Sequence, residues 1–332
     1  MRLYTAHDSA PLAEHRPAVT LGVFDGVHLG HRAILRDLVE TARGLGAPSL
    51  AITFSPHPRQ TLGRSAPPSI TDMETRLKLL AETGIDAAWT LGFTPEIAAL
   101  TGREFAEEYF HRRLDASAVV LGELAHFGKG RDGNVRRLAD WSANWNMRIA
   151  STPPLVAGGA PVSSTRVRLA AQSGDIDLAS ELLGRRLSVV GTVVHGQGLA
   201  RTLGFPTLNL DPHHELKPPP GVYVTSVEVG GASHPSVTNV GRPPTEAEIE
   251  AGIKDFLIET HLLGYDGDLY GAVAEVSFIK KTRDVMRFAS QEALRERVES
   301  DLAAAERFFA GTYGGRAAGS ADSGLPPSEP LA

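Results

Sequence analysis

The sequence predicts an α/β fold in two parts: a parallel sheet covered by helices, followed by a small antiparallel β-barrel. Three observations carry this. Short β-rich runs alternate with helical ones up to about residue 183, which implies a parallel sheet with crossover helices. From about residue 185 the helical spacing disappears, and β-rich runs follow one another across Gly- and Pro-containing breaks. Hydrophobic residues make up 42% of 332, enough to fill two cores.

In order, "AVTLGVF" (18–24) is the first β-rich run. In "HRAILRDLVETARGLG", Ile34, Leu38, Ala42 and Leu45 recur at helical spacing before a glycine stop. "SLAITF" (49–54) is a buried strand candidate. "TDMETRLKLLAETG" opens with a Thr71/Glu74 capping box and closes on Gly84. "AAWTLGF" is a third strand, and "TGREFAEEYFHRRL" a helix with a second box, Thr101/Glu104. "ASAVVLG" and "MRIAS" (147–151) complete the sheet. "RVRLAAQSGDIDLASELLG" reads as helix broken at Gly174. Then come "LSVVGTVVHG", "GVYVTSVEVG", "SHPSVTNVG", "FLIETHLL" and "LYGAVAEVSF", five or six strands of a barrel. A closing helix runs from about Ser290 to Phe309, with Leu294, Val298, Leu302 and Ala305 on one face. The Gly/Ala/Ser/Pro-rich end, 313–332, reads as disordered.

The formal charge of −6 argues against a nucleic-acid-holding protein. With no cysteine, disulfides, thiolate zinc sites and a cysteine nucleophile are excluded. No stretch has the roughly 18 apolar residues of a membrane span, and the N-terminus has no apolar signal core. The expectation is a soluble, cytoplasmic protein without a membrane or nucleic-acid partner.

Ligands of a parallel sheet sit at the carboxyl ends of its strands. Residues 22–31, 53–59, 92–95 and 122–128 fall there. "GVFDGVHLGH" (22–31) is a glycine turn between a strand and a helix, the arrangement that binds phosphate. Gly22 and Gly26 let the backbone approach a ligand, and His28 and His31 can reach the same anion. A zinc site and an ordinary helix start with incidental histidines are the competing readings. Asp25 reads as a turn-former or a nucleotide contact.

In the second part, "GQGLARTLGFPTLNL" (196–210) is a loop whose backbone N–H groups can cradle phosphates, with Gly196 and Gly204 at either end. Thr207 and Asn209 share a face if the segment is extended, and their oxygens suit Mg²⁺. The competing reading is a Pro-Thr turn. In "FLIETHLL" (256–263) one face carries Leu257, Glu259, His261 and Leu263. Glu259 lies between apolar neighbours, where a carboxylate can serve as a general base; a solvated strand face is the alternative.

"GVFDGVHLGH", "TFSPHPR" (53–59), "VSSTRVR" (162–168), "LGRRLSVVGTVVHG", "LGFPTLNL", "PPGVYV", "TNVG" and "DGDLYG" resemble, in order, the motifs of bacterial bifunctional riboflavin kinase/FAD synthetases. The resemblance spans roughly residues 16–310. It implies a Rossmann-like nucleotidylyltransferase domain at 1–183, which adenylylates FMN to FAD and releases pyrophosphate. It implies a riboflavin kinase barrel at 184–312, which makes FMN from riboflavin and ATP. It further implies nucleotide contacts at Gly22, Phe24, Asp25, Gly26, Ser164, Thr165, Arg168, Gly196, Gly204, Thr207 and Asn209. His28 and His31 would stabilise triphosphate charge, and Glu259 would deprotonate the ribityl hydroxyl. Flavin contacts fall on His57, Pro58 and Asn239, and Mg²⁺ on Thr207 and Asn209. Riboflavin, FMN and ATP are the implied small-molecule partners.

Leu124 and Ala125 in "GELAHFG" stand where the family has a polar residue and an aromatic one. Ala200, Leu208, Pro243 and Val285 also depart from its pattern. These departures carry a second reading, a divergent paralogue acting on a modified flavin or another nucleotide, or with the kinase alone active. A third is a flavin- or nucleotide-binding regulator without turnover.

Overall fold

A computed structural model describes residues 1–5, 12–61, 63, 65–196, 204–241 and 258–313. The chain divides into two compact units. One comprises Met1–Ser69 and Met73–Ser164; the other comprises Ile70–Asp72 and the chain from Thr165 onward.

The first unit holds a six-stranded sheet: β1 (Arg2–Tyr4), β2 (Ala18–Leu21), β3 (Ser49–Ser55), β4 (Ala87–Gly92), β5 (Ala118–Gly122) and β6 (Arg148–Thr152). Every pairing is parallel, in the order β1-β4-β3-β2-β5-β6. The order runs outward from β2 to one edge and then, from β5, to the other. β2 and β5 therefore flank the topological switch point, where open α/β sheets hold ligands. Both sheet faces are covered. Val19, Leu50, Ile52, Trp89 and Leu121 pack on one side, and Phe24, Leu35, Leu38, Ala51 and Val120 on the other.

Around the sheet lie α1 (Leu29–Leu45), α2 (Pro58–Thr61), α3 (Met73–Ala81), α4 (Pro95–Ala99), α5 (Gly102–Phe105) and α6 (Val135–Trp141), and after β6 a short antiparallel pair, β7 (Val156–Ala157) with β8 (Ala160–Pro161). The Thr101/Glu104 capping box forms at α5. α3 begins at Met73, a residue later than a Thr71/Glu74 box requires. Two features depart from the sequence expectation. β1 is an additional edge strand, too short and too exposed to show alternation. Residues Ala106–Arg113 form a π-helix instead of continuing an α-helix. Two ion pairs have the spacing of this winding: Glu107–Arg112 and Glu108–Arg113, each 2.8 Å, are i,i+5.

In the second unit, α7 (Ser164–Ser173) and α8 (Ile176–Leu183) are separated at Gly174, whose φ is +84°. Six strands then close an antiparallel barrel in the order β10-β13-β12-β11-β14-β9. They are β9 (Ser188–Val194), β10 (Leu208–Pro212), β11 (Gly221–Val229), β12 (Ala232–Val240), β13 (Ile258–Leu262) and β14 (Val273–Arg283). α9 (Gln291–Tyr313) follows, and Asp301 on it takes Arg283 at 2.6 Å. Ala200, Arg201, Pro243 and the 314–332 tail lie outside the described residues.

The barrel interior is not wholly aliphatic. Thr225 bonds to Ser236 (2.8 Å) and Thr238 (2.7 Å), and Thr238 to Thr260 (2.9 Å), all fully buried. This hydroxyl ladder crosses β11, β12 and β13. Thr238→Val keeps the shape but leaves Thr225 and Thr260 short of a partner. It is expected to destabilise the protein by about 1–3 kcal/mol, read as a lower denaturant midpoint at unchanged slope.

Candidate functional site

The structure builds two separate constellations, one in each unit. In the first, β2 ends at Leu21 and the chain turns sharply through Gly22–Val27 into α1. Phe24 and Val27 both have positive φ, +51° and +38°, in a region that L side chains rarely occupy. A Cβ on Gly22 would meet the Phe24 ring at 2.9 Å, so this position admits only glycine unless the ring moves.

Three contacts bracket that turn. Thr53 Oγ1 donates to the Val23 carbonyl at 3.0 Å. Ser164 Oγ donates to the Asp25 carbonyl at 3.1 Å. Arg76 Nη2 reaches Asp25 Oδ1 at 3.3 Å, with the two side chains 7% and 2% exposed. So complete a burial of two charges is tolerated only when they are paired.

His28 is the N-cap of α1, and its Nδ1 accepts the His31 backbone N–H at 3.2 Å. Since Nδ1 accepts, the proton of the neutral ring is assigned to Nε2, which is therefore a donor. The two imidazoles stack, with centroids 3.6 Å apart and planes 16° from parallel. Gly30 permits this, since a Cβ there would press on the His28 ring at 3.2 Å. Both histidines thus stand at a helix N-terminus beside the switch point.

At the end of β3, next to β2, His57 Nδ1 accepts from the Arg59 N–H, and Pro58 starts α2. Leu124 lies just past the end of β5 and is 63% exposed; Ala125 packs on the core. Thr165 and Arg168 lie on α7 in the second unit, and Arg168 is buried.

The second constellation lies on the barrel. Glu259 on β13 is directly opposite Asn209 on β10 and Asn239 on β12. The alternation sends Thr260, Leu208 and Thr238 inward, so the three polar groups share the other face. Desolvation raises the Glu259 carboxyl above its ordinary pKa, and a hydrogen bond with Asn239 partly opposes this. Asn209 is buried, and among the described residues its Oδ1 is a buried acceptor without a hydrogen-bond partner. Beside it, half-buried Thr207 supplies a hydroxyl. An orphaned amide oxygen near a hydroxyl is a donor set that fits a hard cation.

Gly196 lies under that amide. A Cβ there would stand 2.1 Å from Asn209 Nδ2. Gly196→Ala is therefore expected to push Asn209 away and to lower the kinase activity that the sequence resemblance implies by at least about tenfold. That is the cost of displacing one well-placed contact. Gly204 is exposed with φ +91°, again a glycine conformation.

Arg76, Thr53 and His261 were not singled out from the sequence. Arg76 could have been, because it shares the Leu79/Leu80 spacing of a buried helix face. His261 follows Glu259 at the strand period, and its Nδ1 lies 2.8 Å from the Pro206 carbonyl.

Comparison with known proteins matches the two parts of the chain to two families. A family model described as FAD synthetase matches residues 11–166, and one described as riboflavin kinase matches 183–309. A "Bifunctional riboflavin kinase/FMN adenylyltransferase" of Pseudomonas fluorescens is 38% identical over 298 residues, 90% of this chain and 94% of that protein. The protein of the same name from Escherichia coli strain K12 is 36% identical, over 91% of this chain and 96% of its own. A solved structure described as a macrolide-efflux protein from Streptococcus pneumoniae superposes with a TM-score of 0.81 at 26% identity. It covers 92% of this chain and 99% of its own. Among the described residues here, no helix is long and apolar enough to cross a membrane.

Proposed function

The chain belongs to the bifunctional riboflavin kinase/FMN adenylyltransferase family, and from that premise we propose how its residues divide the work. The protein is a transferase with both activities: it phosphorylates riboflavin to FMN and adenylylates FMN to FAD, with ATP as the second substrate of each. We assign the adenylyl transfer to residues 1–183 and the kinase to 184–312, and place the enzyme in the cytoplasm.

In the kinase, Glu259 takes the proton of the terminal ribityl hydroxyl. The freed oxygen attacks the γ-phosphorus of ATP and ADP leaves. The observation that supports this assignment is the desolvated Glu259 facing Asn209 and Asn239 on one barrel face. A carboxylate with a raised pKa is a stronger base toward a hydroxyl. Thr207 and Asn209 would hold Mg²⁺, which supplies charge neutralisation on the phosphates. Gly196 and Gly204 let the backbone come close to ATP, and Asn239 orients Glu259.

In the adenylyltransferase, a phosphate oxygen of FMN attacks the α-phosphorus of ATP and pyrophosphate leaves. His28 presents Nε2–H and His31 stacks on it, which supports a role in stabilising the charge that builds on the triphosphate. Gly22, Phe24, Asp25 and Gly26 shape the turn around the nucleotide. Ser164, Thr165 and Arg168 serve the β/γ end, and His57 and Pro58 the flavin.

One chromatogram tests both assignments. Purified protein incubated with riboflavin, ATP and Mg²⁺ should give FMN and then FAD, and with FMN and ATP should give FAD directly. FMN formed from riboflavin with no FAD in either incubation would leave only the kinase assignment standing.

A further inference from the structure

Resting on the kinase reading above, we propose that His261 is a positioning residue of the phosphoryl-transfer site, holding Pro206 so that Thr207 is presented to the nucleotide. The backbone pairing between β10 and β13 begins at Leu208, which is opposite Thr260. Among the described residues the chain just before it, Phe205–Thr207, lies outside that ladder. Pro206 also has no N–H to offer a neighbouring strand. Its only backbone polar group is the carbonyl, and His261 Nδ1 meets it at 2.8 Å. A carbonyl can only accept, so Nδ1 carries the proton and His261 donates. Phe205 closes edge-on against the same imidazole, with centroids 6.4 Å apart and planes at 86°.

The side chain of His261 thus continues, past the point where the backbone ladder stops, the attachment of this segment to β13. Glu259 lies two residues away on the same face of that strand. One strand therefore carries the base and fixes the segment that carries Thr207. At its other end the same short segment runs directly into β10, where Leu208 is held in register on β13 and Asn209 between β13 and β9. The nucleotide-binding hydroxyl is held between two anchors, while the base is set by Asn239.

The test uses the full-length enzyme and steady-state riboflavin phosphorylation. His261→Leu removes the donor and is expected to raise KM for MgATP about tenfold, with kcat changed less than about twofold. That corresponds to about 1.4 kcal/mol, the size of one hydrogen bond. His261→Asn keeps an N–H near the Nδ1 position and should restore KM, whereas His261→Gln, whose amide is one bond further out, should not. FAD formation from FMN and ATP by the same variants should keep its KM. A purely structural role would lower the active fraction, and so kcat, with KM for ATP unmoved; that result overturns the proposal. If His261→Leu does not fold, the Asn/Gln pair decides: equal KM values for both overturn it. Failure of the wild-type enzyme to make FMN would instead overturn the kinase reading itself.

Discussion

Glu259→Gln is expected to lower riboflavin phosphorylation by about 10²–10⁴-fold, the usual contribution of a positioned general base. Flavin and nucleotide binding should survive, because glutamine retains the shape. The pH dependence follows from the direction of the shift. Burial raises the Glu259 carboxyl, so the wild-type rate should fall on its acid side at a pH above the ordinary glutamate value. Asn239→Leu removes the hydrogen bond that opposes this rise and should move the acid limb to still higher pH. Stability runs the other way. A carboxyl whose folded pKa lies above its unfolded one stabilises the fold at low pH, and that contribution is lost as pH rises through the folded value. Glu259→Gln should therefore unfold at a higher temperature than wild type at pH 8, with the gap closing toward pH 4. An equal gap at both pH values would show that the carboxylate is not strained by burial.

Arg76→Met is the substitution expected to cost most in stability. It would leave the Asp25 carboxylate buried without its guanidinium, a loss of about 3–5 kcal/mol. Adding Asp25→Asn should return much of that, because a neutral amide is buried at lower cost than a carboxylate that has lost its guanidinium. The turn that Asp25 occupies carries Phe24 and Val27 at positive φ and ends on His28. FAD formation should therefore fall in Arg76→Met even at a temperature where the protein remains folded. Denaturation curves and initial rates on the single and double variants give the coupling directly. Additivity of the two substitutions would refute the pairing.

The two-part architecture was legible because each part has its own period. Ile34, Leu38, Ala42 and Leu45 repeat at helical spacing, whereas Ile258, Thr260 and Leu262 alternate. The ends of β2 to β5 were legible for the same reason, and with them the place of "GVFDGVHLGH". Less could be read where a side chain's partner is remote in sequence. Asp25 and Arg76 are 51 residues apart, and no local pattern joins them. The barrel register that puts Asn209, Glu259 and Asn239 in one row depends on closure of the whole sheet. The Thr225–Ser236–Thr238–Thr260 ladder was hidden because buried hydroxyls look like a polar face in sequence.

The π-helix at Ala106–Arg113 bears on how this chain tolerates changes of length. A π-turn is an α-turn with one residue more than it needs. Removing His111, which lies between the partners of both ion pairs, would convert Glu107–Arg112 and Glu108–Arg113 from i,i+5 to i,i+4. That is the spacing at which such pairs support an α-helix. The buried Tyr109 and Phe110 precede the deletion; its costs are a turn of the buried Leu114, which follows it, and loss of the stack of His111 on Trp145. This segment therefore has the form of a one-residue insertion retained in the helix, and a deletion here should be absorbed where elsewhere in the unit it would throw a helix face out of register.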